Sequence, residues 1–146
     1  MPIAGRKPKP AGQAINRNKP VTDWVEVEDV PYSGPRPELP KTRMVATQFG
    51  PQEYDLQPMT VQWWESASTM PHCRLWTPSD WMFALSTAMV ADAAFCGGVG
   101  AATELRNREK VLGTTVDYRR DLRIRYVGEA EAKLAEVTDL DVFRNL

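Results

Sequence analysis

The first 20 residues hold Arg6, Lys7, Lys9, Arg17 and Lys19 and no acidic group, in a chain of 146 residues whose net charge is −1. Cations gathered on one short stretch suit one kind of chemistry: they neutralise a row of phosphates and release the counterions condensed there. The spacing fits that use. Gly5–Pro10 reads G-R-K-P-K-P and Asn16–Pro20 reads N-R-N-K-P, and the prolines favour an extended backbone with fewer donors of its own. Few apolar side chains are available to fold this arm. It is either a DNA-contacting arm or a solvated tail that aids solubility, and composition leaves both open.

A second set of cations lies late in the chain. Arg119, Arg120, Arg123 and Arg125 alternate with Asp121 and apolar groups. They line a DNA channel on one reading, with Arg119, Arg120 and Arg123 as the contacts, and form a solvated helix face on the other. The aromatic set Trp24, Trp63, Trp64, Trp76 and Trp81 offers stacking platforms for bases or core packing, the latter for Trp64 and Trp81 beside Ala and Leu.

Catalytic chemistry finds no such grouping. His72 is the single histidine and stands between Pro71 and Cys73, while Cys73 and Cys96 match no metal-ligand spacing. A zinc site is short of ligands, so no metal, no cofactor and no enzymatic activity are expected. Gly97-Gly98-Val99-Gly100 lacks the Lys-Ser/Thr pair of a phosphate-binding loop and reads as a tight turn between helices. Asp92 is a lone charge in an apolar run. It is a buried catalytic carboxylate or, more in keeping with its setting, the partner of an arginine, with Arg106, Arg108 and Arg119 as candidates.

These groups must be positioned by the elements between them. Ten of the 12 prolines fall in residues 1–58, so the compact part lies mostly after Pro58. That leaves roughly 90 residues, a size that folds alone but gains from oligomerisation. The expected fold is mainly α: a helical hairpin or bundle core after an extended, proline-rich, basic arm, assembling into a ring. The expected organisation is a DNA-binding arm at 1–20, an extended connector at 21–57, a helical oligomerisation core at 58–128 and a partner-binding segment at 129–146. Within the connector, Trp24-Val25-Glu26-Val27-Glu28 alternates apolar and acidic groups, as one short strand or an extended strap does.

Four helices are readable. The first spans about Pro58–Met70, with Val61, Trp64, Ala67 and Ser68 on its inner face. The second, about Pro78–Cys96, opens on Thr77 as N-cap with Asp80 at N3 and stops at Gly97-Gly98. Only Ser86, Thr87 and Asp92 interrupt its apolar body. A helix apolar nearly all round must be covered nearly all round, which points to a neighbouring copy packed on Trp81, Leu85, Ala88, Met89 and Phe95. The third is about Val99–Leu112. The fourth begins at Thr114 and carries Tyr118, Leu122 and Tyr126 on one stripe and Arg119 and Arg123 on another. The carboxyl end alternates acidic and apolar groups over Asp139–Val142, and Leu140, Val142 and Phe143 suit the groove of a partner.

The chain has no run of about 18 apolar residues and its basic start lacks an apolar signal-peptide core. No membrane partner is expected, and two unpaired thiols fit a reducing, intracellular setting.

Taken together, G-R-K-P-K-P at Gly5–Pro10, the Trp-bearing helix, W-T-P-S-D-W at Trp76–Trp81 and L-G-T-T-V-D-Y-R-R-D-L-R at Leu112–Arg123 resemble the small terminase subunits of tailed bacteriophages. The resemblance is nearest to the group from phages and prophages of actinobacteria. It follows the order of elements over most of the chain but does not extend to residues 21–57, and Asp121 departs from a usually more continuous arginine run. It implies a non-enzymatic packaging factor in the host cytoplasm with three partners: double-stranded viral DNA, the large terminase subunit that holds the ATPase and nuclease, and further copies of itself in a ring. On that resemblance the basic start contacts DNA, the helical centre builds the ring and the carboxyl end engages the large subunit. Two other readings remain: a DNA-binding regulator that inserts Arg6 into a narrow minor groove, and a structural virion or scaffold protein.

Overall fold

The computed structural model describes residues 23–128. Strand β1 (Val25–Glu28) is followed by the hairpin strands β2 (Thr42–Thr47) and β3 (Gly50–Asp55). Helix α1 (Pro58–Ser68), a 3₁₀ turn (Pro71–Leu75), and helices α2 (Pro78–Phe95), α3 (Val99–Leu112) and α4 (Val116–Asp121) come next, and β4 (Ile124–Val127) closes the described chain. Helix accounts for about 51% and strand for 19% of it, in two small sheets. The fold is therefore mixed α/β, which corrects the mainly α bundle expected from the sequence.

Two local causes lie behind that correction. The fourth helix ends at Asp121, and Arg123 adopts φ 59°, turning the chain sharply. Ile124-Arg125-Tyr126-Val127 then pairs in parallel with β1, Val25 against Ile124 through Glu28 against Val127. The alternation in β1 is thus a strand, and its partner is the segment that helical spacing had claimed through Tyr126. Burial of Val27 and Val127 and the cross-strand pairing of Glu26 with Arg125 favour the ribbon over one more helical turn. The second cause is β2–β3, an antiparallel hairpin with Thr42 opposite Asp55 and Thr47 opposite Gly50, formed inside the stretch read as an extended connector.

The core sits where α1, α2 and α3 meet. Pro58 occupies the first turn of α1, and Thr60, Trp64, Ala67 and Ser68 face inward at helical spacing. Val61, expected on that face, is exposed, and Thr60 takes the inward position. Helix α2 is capped as its sequence predicts: the Asp80 carboxylate accepts from the Thr77 amide and hydroxyl, each at 2.8 Å. These two bonds hold the Asp80 carboxyl below the ordinary carboxylate pKa. Ala84, Ala88 and Ala91 are fully buried; their small side chains let the flanking helices come close. Trp81 stacks edge-on against Trp64 and Trp76 and meets Tyr32 at 5.6 Å, so the proline-rich segment closes one side of the core. Arg36 of that segment pairs with Glu65 of α1 at 3.0 Å.

The turn between α2 and α3 needs its glycines. Gly97 has φ +95°, and a Cβ on Gly98 would lie 2.9 Å from the Ala93 carbonyl oxygen. Helix α3 buries Leu105 and Leu112, and the charge in its stripe, Glu109, accepts from the Trp63 indole at 2.9 Å, tying α1 to α3. Gly113 ends the helix in the left-handed region at φ 73°.

Candidate nucleic-acid interface

The β1–β4 ribbon pairs the segment that follows the basic arm in sequence with the segment that follows the late arginines. The Val25 amide donates to the Arg123 carbonyl at 2.8 Å. The strand that follows the basic arm in sequence therefore begins against Arg123, the third of the late arginines. On the next register step Arg125 pairs with Glu26 and lies over the Trp24 ring, 5.8 Å from its centroid. Trp24 is 40% exposed, so it is a surface group at the root of the arm and not core.

The three late arginines are not equivalent. Arg119 is half-buried, donates to the Gly113 carbonyl at 3.1 Å and lies 4.7 Å over the Tyr126 ring. Its guanidinium is engaged in holding α4 to β4. Arg120 and Arg123 are exposed. A non-glycine residue at positive φ costs about 1 kcal/mol, and at Arg123 the chain carries that cost with a long cationic side chain. Arg6, Lys7, Lys9, Arg17 and Lys19 lie outside the described residues, as do Leu140, Val142 and Phe143.

Of the apolar residues expected at a copy-to-copy contact, Trp81 and Ala88 are buried in the chain's own core, while Leu85, Met89 and Phe95 remain half-buried. The charge within the apolar body of α2 is also settled. Asp92 is fully buried; its Oδ2 accepts from Arg43 Nε at 2.8 Å, and its Oδ1 accepts from the Gln57 amide at 2.8 Å and the Thr60 hydroxyl at 2.7 Å. Burial pushes its pKa up, but the Thr60, Gln57 and Arg43 bonds together outweigh burial and leave it below the usual carboxylate range. An arginine partner was expected, but from α3 or α4. Arg43 was missed, although it is the sole charge in Thr42–Thr47, which is the signal that could have found it.

His72 is equally committed. Its Nε2 lies 2.7 Å from the Leu112 carbonyl, which only accepts, so Nε2 carries the proton and Nδ1 accepts from the Tyr126 hydroxyl at 2.6 Å. Burial lowers its pKa, the Leu112 bond opposes this, and Arg119 adds to the lowering. Burial also pushes the Cys73 thiol up to about 12. Among the described residues no group of His, Cys, Asp and Glu has the arrangement to hold a metal ion, and no helix is long and apolar enough to cross a membrane.

Comparison with known families gives a match to the phage terminase small subunit over residues 3–146. The match includes residues 21–57, where the motif resemblance did not reach. Searches of curated proteins and of solved structures each returned no match. A family match over nearly the whole chain places the protein: it belongs to the phage terminase small subunit family.

Proposed function

We propose that this small subunit is a non-catalytic DNA-recognition and recruiting factor that acts in the infected host's cytoplasm during genome packaging. It binds double-stranded viral DNA through one continuous surface made of the arm cations Arg6, Lys7, Lys9, Arg17 and Lys19 together with Arg120 and Arg123. The observation that supports this reading is the bond from the Val25 amide to the Arg123 carbonyl, five residues after the arm's last proline in sequence. Phosphate contacts of this kind fix position and supply affinity without reading bases. Arg119 belongs to the folded scaffold and acts on DNA only indirectly.

Copies assemble into a ring, with Leu85, Met89 and Phe95 as the part of α2 still open to a neighbour. The carboxyl segment, through Leu140, Val142 and Phe143, engages the large terminase subunit. The test is a reconstitution with purified large subunit and linear duplex DNA. The full chain raises the ATPase rate, and a chain ending at Thr138 binds DNA equally well but leaves that rate at its basal value. Equal stimulation by both chains overturns the role of the carboxyl segment.

A further inference from the structure

The β2–β3 hairpin carries a knob that its own chain does not cover. Phe49, at its tip, is 82% exposed, second only to Val99 among the large apolar residues of the described part. The tip is built rather than loose. The Thr47 hydroxyl donates to the Gly50 carbonyl at 2.7 Å, the Phe49 amide donates to that hydroxyl at 3.2 Å, and Gly50 supplies the turn at φ +97°. A two-stranded hairpin is marginal by itself, but this one is clamped at its base. Arg43 pairs with Asp92, the Leu56 amide donates to the Lys41 carbonyl at 3.1 Å, and the Gln57 amide reaches Asp92. A held turn presents an aromatic side chain with little ordering left to do on contact.

At the base of the same hairpin lies a groove between β2 and the α2–α3 pair, lined by Met44, Met89, Val90, Ala93, Gly100 and Ala101. The small wall residues Ala93, Gly100 and Ala101 leave room for a ring, and the two methionines adapt to its shape. Charge matches as well. Ala46–Gln52 has no charged residue, and the two charged groups beside the groove are neutralised within the chain, Arg43 by Asp92 and Glu104 by Arg108, each at 2.8 Å.

The knob does not reach its own groove. Met44 sits opposite Glu53, three residues before β2 ends at Thr47, and strand geometry sets it back from the turn by about 10 Å. A second copy of this chain supplies the occupant. We propose that Phe49 of one copy seats in the groove between β2, α2 and α3 of the next. Knob and groove are different surfaces, so the contact is head-to-tail and propagates into a closed ring or a filament. This inference rests on the reading that the chain self-assembles, and it names the surface that does so.

The experiment uses the full chain. Phe49→Asp changes an exposed tip and keeps the parent's far-ultraviolet circular dichroism, but converts the assembly to monomers in native mass spectrometry at micromolar concentration. In a Cys96→Ser background, the Phe49→Cys/Ala101→Cys double variant gives a ladder of disulfide-linked multimers on oxidation, while each single variant gives none. If the parent assembles but Phe49→Asp keeps its mass and no ladder forms, this surface is wrong while self-assembly stands. If the parent is a monomer at that concentration, both fall.

Discussion

Arg43 and Asp92, 49 residues apart in sequence, meet at 2.8 Å beneath the hairpin. The Asp92 carboxylate also takes the Gln57 amide and the Thr60 hydroxyl, so one buried group ties β2, the start of α1 and α2 together. A buried charge that loses its partner is more harmful than a pair replaced whole. Asp92→Ala is expected to lower stability by about 3 kcal/mol and Arg43→Met by about 2 kcal/mol. The double variant should lose less than the sum, because the two act on one interaction. Urea unfolding of the four proteins checks this; strict additivity contradicts the shared role.

Because the folded pKa of Asp92 lies below its unfolded value, its contribution is present above about pH 4 and is lost as pH falls through the folded value. Acid unfolding of the parent should begin below about pH 4 on this account, and Asp92→Asn should weaken that acid transition. Parent and variant with the same acid profile would refute it.

His72 gives a second, separate pH response. Its folded pKa is depressed, so the neutral ring is the one the fold prefers. Stability should fall as pH drops below about 6.5, with a slope of at most about 1.4 kcal/mol per pH unit from this group. Tyr126→Phe removes the hydroxyl that Nδ1 accepts from and is expected to cost about 1–2 kcal/mol at neutral pH. Thermal midpoints between pH 5 and 8 report both effects.

The thiols should divide cleanly. Cys96 is exposed and Cys73 is buried with its pKa at about 12. A thiol reagent at neutral pH should label one cysteine per native chain quickly, and the second only after unfolding. Rapid labelling of both in the native protein contradicts the burial of Cys73 against the Ala67 carbonyl.

What the sequence made legible were features governed by local rules. The Thr77–Asp80 cap, the glycine turn after α2 and the inward run Trp64–Ala67–Ser68 follow from capping, turn and periodicity arguments that need no distant partner. Some failures were local, such as Thr60 taking the inward place expected of Val61, but the larger ones were not. Tyr118, Leu122 and Tyr126 kept helical spacing, yet β1, 99 residues away along the chain, offered Ile124–Val127 a strand to pair with, and the helix ended instead. Nothing near Arg43 announces that its partner is Asp92. At the candidate site, the exposed arginines and the basic arm were readable as types, whereas the approach of Val25 to Arg123 is a product of that same distant pairing.

The central claim is that the arm and the exposed arginines form one DNA surface. Its most direct measurement is the affinity for a labelled duplex at several salt concentrations, for the parent, a chain lacking residues 1–20, an Arg120→Ala/Arg123→Ala variant, and the combination. Each phosphate contact contributes about −0.9 to the slope of log affinity against log salt. The parent should show a slope of roughly −3 to −5 per engaged arm, with the Arg120/Arg123 variant about one to two units shallower and the combination nearly flat. If the arm deletion and the arginine variant each bind as tightly as the parent with the same slope, the surface is not where DNA binds and the account is wrong.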